Sequence, residues 1–340
     1  MNDCVYRGEK TGDKIGDRPS FGCQLHERCV LSGETSEAAS CEHCKQGLKL
    51  DAPDFVKQWV DPLLIIDRRR EKTDALRGVL AGCPAFLVCG GPSADPVLER
   101  LNRRGCFSLA VNNAAGYKVR PQAFICSDPP LKFSHSIWLD PGVMKFVPTV
   151  KMKGRRAKLR RKAGRDFKPM RRKVPQCPNV WGFKRLSQLV PDDSFFLSDG
   201  ACWGNHQNGV TKTGQPKTVC TMMLGMRLLR YLGASKCYLI GVDFRMTEGY
   251  GYSFTEQKRS GGAAGSNNRQ FGVVNEWLCE MQRRGVFERF GMPVFNTFER
   301  SGLRAFPHVP FEDAIIEAVG QVEEIPSIGG WYEKTDKEKD

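Results

Sequence analysis

No apolar run in this chain approaches the ~20 residues needed to cross a bilayer. The longest, Val219–Leu232, is broken by Arg227 and Arg230. The opening residues, Met1-Asn2-Asp3-Cys4-Val5-Tyr6-Arg7, lack the apolar core of a secretory signal. These absences predict a cytoplasmic protein without a transmembrane segment. No internal repeat is present, which argues against a solenoid. The most informative glycine turn, at Gly90-Gly91, is not part of a Gly-x-Gly-x-x-Gly fingerprint. No Gly-Lys-Ser/Thr follows it, so it is not a P-loop either.

What is present fits a globular chain. Its 340 residues can hold one large α/β domain and a small accessory module. The net charge of +14 is very uneven. Of 52 basic residues 13 fall in Lys151–Lys173, against one acidic residue there, Asp166. That segment carries twelve of the net positive charges, so the rest of the chain is close to neutral. A run this basic reads either as a solvated loop or as a surface for a polyanion, held through release of counterions. Nucleic acid, anionic lipid and a phosphorylated glycan all suit it.

Fourteen cysteines in a cytoplasmic chain read as thiols or metal ligands before disulfides. Cys83, Cys89, Cys106, Cys126, Cys220 and Cys237 sit in apolar contexts and read as small core residues. Cys4, Cys23, Cys29, Cys41 and Cys44 crowd the polar first fifty residues. The Cys41-x-x-Cys44 pair is half of a tetrahedral zinc site, and Cys4, Cys23, His26 or Cys29 would supply the other half. Residues 1–50 bury little core, so structural zinc would supply their fold. An iron–sulfur cluster or plain thiols are the alternatives.

Residues 51–72 read as a connector and 321–340 as a fraying tail. Between them, 73–320 alternates strands and helices. Strands are expected at Ala85–Cys89, Phe107–Val111, Ala123–Cys126, Lys145–Pro148, Asn179–Phe183, Lys236–Val242 and Pro293–Phe295. Helices are expected at 73–81, Ala94–Arg104, Thr218–Leu232, Phe271–Phe287 and Phe311–Val319. This alternation predicts an α/β fold, Rossmann-like, with a mostly parallel sheet. The basic run interrupts it as an insertion at 151–173. The glycine- and amide-rich stretch Gly261–Gln270 ends a segment, 245–270, that reads as a lid or a plain surface loop.

Polar residues follow several strands: Gly90-Gly91-Pro92-Ser93, Asn112-Asn113, Ser127-Asp128 and Gly241-Val242-Asp243. Ligands of open α/β sheets bind beyond the carboxyl ends of strands. The glycine turn opens a helix whose first N–H groups would seat an anion. Asn112 and Asn113 carry the paired donors and acceptors that read a base or ribose, or simply make a turn.

Leu87-Val88-Cys89-Gly90-Gly91-Pro92-Ser93, Val111-Asn112-Asn113, Tyr238-Leu239-Ile240-Gly241-Val242-Asp243-Phe244 and Tyr252-Ser253-Phe254, taken in order, resemble the bacterial sialyltransferases with a single Rossmann-like domain. They are also similar to the 6-hydroxymethylpterin diphosphokinases and the flagellin-modifying glycosyltransferases. The likeness spans about residues 84–300 by motif order. It implies that Gly90, Gly91, Pro92, Ser93 and Asn112 or Asn113 hold the nucleotide of a nucleotide-sugar donor. It implies that Tyr252 touches the leaving phosphate. The family's lid histidine has no counterpart in Gly261–Gln270, so His308 becomes the candidate base, with Asp128 and Asp243 as alternatives. Arg245 could neutralise a diphosphate.

Three functions follow. The first is a nucleotide-sugar-dependent glycosyltransferase whose acceptor could be a polyanion. The second is a diphosphokinase using ATP and Mg²⁺, with Asp128 and Asp243 on the metal. The third is a zinc-containing nucleic-acid-binding protein without catalysis. The sequence leaves the oligomeric state open.

Overall fold

The computed structural model describes residues 65–66, 72–73, 75–114, 118–128, 135–152, 158–163, 166–183, 196–197, 206–210, 216–218, 220–247, 253 and 263–321. The chain is α/β. Strands β1 (Ile65–Ile66) and β2 (Lys72–Thr73) come from the connector. The apolar runs then form β3 (Pro84–Val88), β4 (Phe107–Val111), β5 (Ala123–Ile125), β6 (Met144–Pro148), β9 (Val180–Phe183), β12 (Lys236–Ile240) and β13 (Val294–Asn296). Two hairpins stand apart: β7 (Lys158–Ala163) with β8 (Asp166–Lys173), and β10 (His206–Val210) with β11 (Pro216–Thr218).

One nine-stranded sheet runs in the order β13-β12-β3-β4-β5-β6-β9-β1-β2. Its first seven strands are parallel, and β1 runs antiparallel to both of its neighbours, β9 and β2. From β3 the chain adds strands outward through β9. It then returns to place β12 on the other side of β3 and β13 beyond it. The strand order therefore reverses between β3 and β12, the topological switch point of this sheet.

Both faces of the central strands are buried, which explains their unbroken apolar runs. Ala85 and Leu87 of β3 pack with Cys237 and Leu239 of β12 on one face. Helices α2 (Thr221–Tyr231), α3 (Ala263–Arg283) and α4 (Val286–Phe290) cover that face. Phe86, Val88, Tyr238 and Ile240 occupy the other face under α5 (Phe311–Val319). Each such side chain, fully buried, contributes roughly 1.5–3 kcal/mol. A third cluster lies toward the far strands. There Phe124, Val147 and Val180 meet Ile137 and Trp138 of α1 (His135–Leu139) and Leu159 of β7.

Several expected elements take another form. The helix expected from Ala94 to Arg104 is two 3-10 turns, Pro92–Ala94 and Glu99–Leu101. Pro92 and Pro96 cannot donate, and successive amides bond three residues back, as Asp95 N–H does to Pro92 O and Asn102 N–H to Glu99 O. Where a helix is expected over 73–81, Thr73 ends β2 and 75–80 is a series of turns. Gly78 is left-handed, and the amides of Gly78 and Leu80 donate to Tyr231 and Leu232 at the end of α2. The stretch read as a lid is helical from Ala263, the first turns of α3. Within the basic insertion, 158–163 pairs with 166–173 as antiparallel strands.

One buried polar cluster gave no signal in the sequence. Arg120 donates to both carboxylate oxygens of Asp140, at 2.7 and 2.8 Å, and the pair is 2% and 0% exposed. Gly142 N–H also reaches Asp140, at 2.9 Å. The Lys145 ammonium, fully buried, donates to the carbonyls of Asp140 and Pro178. These residues precede or open β5 and β6, so they lie at the amino edge of the sheet.

Burial lowers the Lys145 pKa to about 8 from 10.5, and Arg120 adds to this while Asp140 and Cys177 oppose it. Between those values the unfolded chain binds a proton that the folded chain does not, so this lysine makes stability rise with pH from about 8 to 10.5. The gain is on the order of 3 kcal/mol. Buried thiols act in the opposite sense above pH ~9, so the test is a difference. Urea unfolding of wild type minus Lys145→Met should show the rise. A flat difference across that window would rule it out.

Candidate functional site

The carboxyl ends of β3 and β12 meet at the switch point. Cys89 N–H donates to Ile240 O at 2.7 Å, and Gly91 N–H donates to Gly241 O at 2.8 Å. The glycines are required by closeness. Gly91 has an ordinary φ of −67°, yet a Cβ there would lie 2.5 Å from an Asp243 carboxylate oxygen and 2.6 Å from Gly241 O. The left-handed glycine of this junction is Gly241, at φ +65°.

Asp243 fastens this junction. One carboxylate oxygen accepts the Ser93 N–H at 3.1 Å, and the other accepts the Ser93 hydroxyl. The N–H expected to face a bound anion is thus engaged by the chain's own carboxylate. A phosphate at Ser93 would have to displace or face that charge. The Asp243 carbonyl accepts Gly302 N–H at 2.8 Å, and the Val242 carbonyl accepts the Ser301 hydroxyl. The 298–302 turn, unnoticed in the sequence, therefore buttresses the junction.

Phe244 follows in a left-handed conformation, φ +51°, which is uncommon for a bulky residue. Its ring stacks on Phe271 of α3, with centroids 4.9 Å apart. Asn268 of α3 then grips Met246 from both sides. Its amide donates to the Met246 carbonyl and accepts the Met246 N–H, each at 2.7 Å. The amides read as part of a lid thus hold a strained turn in place. Such strain gathers at functional sites and persists only where neighbours enforce it.

On the next strand, the pairing of Val88 with Ala110 puts Gly90 level with Asn112. Adjacent strands lie about 4.8 Å apart. Asn112 is also left-handed, φ +56°, and its N–H donates to Ile125 O. Its buried side-chain oxygen accepts no hydrogen bond. Beside it, Ser253 N–H donates to Gly90 O at 2.8 Å, while the buried Ser253 hydroxyl has no partner. Two residues beside Gly90 thus carry orphaned polar atoms. Left unpaired, each costs about 1–3 kcal/mol.

No protein-family model, curated protein or solved structure matches this chain.

Of the candidate residues, Gly90, Gly91, Pro92, Ser93, Asn112, Asn113 and Asp243 share the carboxyl edge of β3, β4 and β12. Asp128 follows β5 on the same edge, half-buried, and Arg245 is exposed just past Asp243. His308 is elsewhere. It bridges Asn296 at the outer side of β13, level with Leu239 and Leu87. Two strands separate it from β3, and it lies about 10 Å short of Gly90 along the strand direction. Tyr252 lies outside the described residues, as do Cys4, Cys23, Cys29, Cys41 and Cys44. Among the described residues no cluster of three or more His, Cys, Asp or Glu is placed to hold a metal. No helix there is long and apolar enough to cross a membrane.

Cys89 ends β3 beside the junction. Burial, then Cys220, Cys237 and Asp243, push its thiol well above the ordinary range. A neutral, buried thiol is a poor nucleophile. The junction therefore offers hydrogen-bond partners for a ligand and no activated cysteine.

Proposed function

We propose that the switch-point crevice binds the nucleoside part of a nucleotide-activated donor, and that the protein is a transferase of the glycosyltransferase type. The observation that carries this reading is the pair of orphaned atoms, Asn112 Oδ1 and Ser253 Oγ, on two residues beside Gly90. An amide oxygen needs a donor, and base N–H groups and ribose hydroxyls are donors. Their position at the reversal of strand order is where open α/β sheets take ligands. With Ser93 occupied by Asp243, the phosphates of such a donor extend away from the glycine turn, toward the side of Arg245. The resemblance to the sialyltransferases points to a sugar as the transferred group.

The diphosphokinase reading has less support. It asks Asp243 to hold Mg²⁺, and both Asp243 oxygens already accept from Ser93.

Thermal melting with CMP, UDP, GDP, ATP and ATP–Mg²⁺ tests the proposal. A ligand at a hundred times its Kd adds about 2.7 kcal/mol, which raises Tm by roughly 5–10 °C in a domain of this size. Ser253→Ala and Asn112→Gly, the latter keeping the left-handed backbone comfortable, should abolish the rise while leaving the ligand-free Tm close to wild type. No rise with any nucleotide would discard the site. A rise with ATP–Mg²⁺ alone would favour the kinase.

A further inference from the structure

The crossover from β6 to β9 contains the β7–β8 hairpin. Its strands pair with each other and join no larger sheet. In their fourteen residues are eight Lys or Arg and one acidic residue, Asp166. Its base is fastened to the domain. Leu159 and Val174, both 0% exposed, pack with Phe124, Trp138 and Val147. At the same end Lys158 is half-buried, while Arg172 and Lys173 are exposed.

The register makes this more than a charged loop. It sets Lys158 opposite Lys173 and Arg161 opposite Lys168. Like charges directly opposite one another destabilise an antiparallel pair. Lysines can keep a free strand edge from pairing with other chains, but this ribbon has four Lys and four Arg. Eight, with two cation–cation pairs across the strands, lower the stability of the hairpin by itself. A polyanion removes that cost.

We propose that the β7–β8 ribbon is a docking surface for double-stranded DNA and enters its major groove. Two strands lie about 4.8 Å apart, and the six residues of β7 extend about 20 Å. The B-form major groove, about 12 Å wide, admits a two-stranded ribbon. The A-form major groove of RNA is too deep and narrow for this. The cations meet phosphates on both sides of the groove. This surface is independent of the nucleotide crevice, so either can fail alone.

The test is fluorescence anisotropy of the full chain with a 20-base-pair DNA duplex, across 50–300 mM salt. Neutralising six to eight phosphates gives a slope of log K against log salt of about −5 to −7. Arg160→Ala/Arg161→Ala/Lys162→Ala/Lys168→Ala should weaken binding about 100-fold at 100 mM salt and flatten the slope by about 3–4. Its Tm should hold, because Leu159 and Val174 are untouched. Lys158→Ala/Lys173→Ala, at the other end, should flatten the slope by about 2. Arg160→Lys/Arg161→Lys should bind within about three-fold of wild type, since phosphate contacts need charge. Absence of DNA binding at 100 mM salt overturns the proposal. So does binding that all the neutral variants retain. Equal or tighter binding of an RNA duplex, or of vesicles of anionic lipid, overturns it in favour of that partner.

Discussion

Asp140→Ala is expected to cost about 3–5 kcal/mol of folding free energy. The loss comes from what remains. Arg120 is 2% exposed, and without Asp140 its guanidinium stays buried and loses its two-pronged carboxylate partner. Lys145, also buried, loses the same neighbour's attraction. Replacing the pair together, as Arg120→Met/Asp140→Leu, should cost much less, because it removes the charge as well as its partner. The acid limb supplies a second check. Burial pushes the Asp140 carboxyl up, but Arg120, Lys145 and the Gly142 amide outweigh it and hold it below the ordinary range. Its stabilisation is therefore complete above the unfolded carboxylate range and is lost as pH falls through the lower folded value. Urea unfolding at pH 7 and at pH 3 measures both. An Asp140→Ala penalty below 1 kcal/mol, or one equal to that of the double variant, would show the pair to be marginal. Nucleotide stabilisation should survive in the folded fraction, because the cluster lies at the opposite edge from the crevice.

The sheet was largely legible in the sequence because a strand buried on both faces must be apolar throughout. Ala85–Cys89, Phe107–Val111 and Lys236–Val242 announce themselves in that way, and the seven parallel strands lie close to where they are expected. Helix α5 was equally plain, with its apolar stripe ending before Gly320. What was not legible depends on partners far along the chain. The amides around Gly78 bond to the end of α2 rather than within a helix. Asn267 and Asn268 resemble loop residues by type, but Asn268 serves as a pairing partner for Met246. Asp243 looked available for catalysis, and only the fold brings Ser93, 150 residues away, to both of its oxygens. The Arg120–Asp140–Lys145 cluster had no pattern at all, since a buried ion pair needs only three-dimensional proximity. The site was legible as a location, from polar residues after strands. Its occupied and unoccupied hydrogen-bonding atoms were not.

Gly241→Ala is expected to damage the crevice more than any other single methyl group. Two penalties combine. At φ +65° an alanine carries a left-handed strain of about 1–2 kcal/mol. Its Cβ would also lie 2.3 Å from Cys89 O and 2.8 Å from Ala94 Cβ. The first of these is backbone, and it cannot step aside. Cys89 and Gly91 are both tied to the 240–241 segment by hydrogen bonds of 2.7 and 2.8 Å. Overpacking of this kind adds about 1–3 kcal/mol. Gly291→Ala separates the two terms. It has φ +73° and nothing within 4 Å of its new Cβ, so it pays the strain alone. Gly241→Ala should therefore be less stable than Gly291→Ala by the overpacking term, measured by urea midpoint at constant slope. It should also lose nucleotide stabilisation. Separation of the two loops shifts Gly90, and with it the Ser253 and Asn112 residues beside it. Gly291→Ala should keep that response in full. Equal stabilities, or a nucleotide response intact in Gly241→Ala, would mean that the β3–β12 junction yields easily. The close approach at Gly241 could then no longer be what holds Gly90 in place.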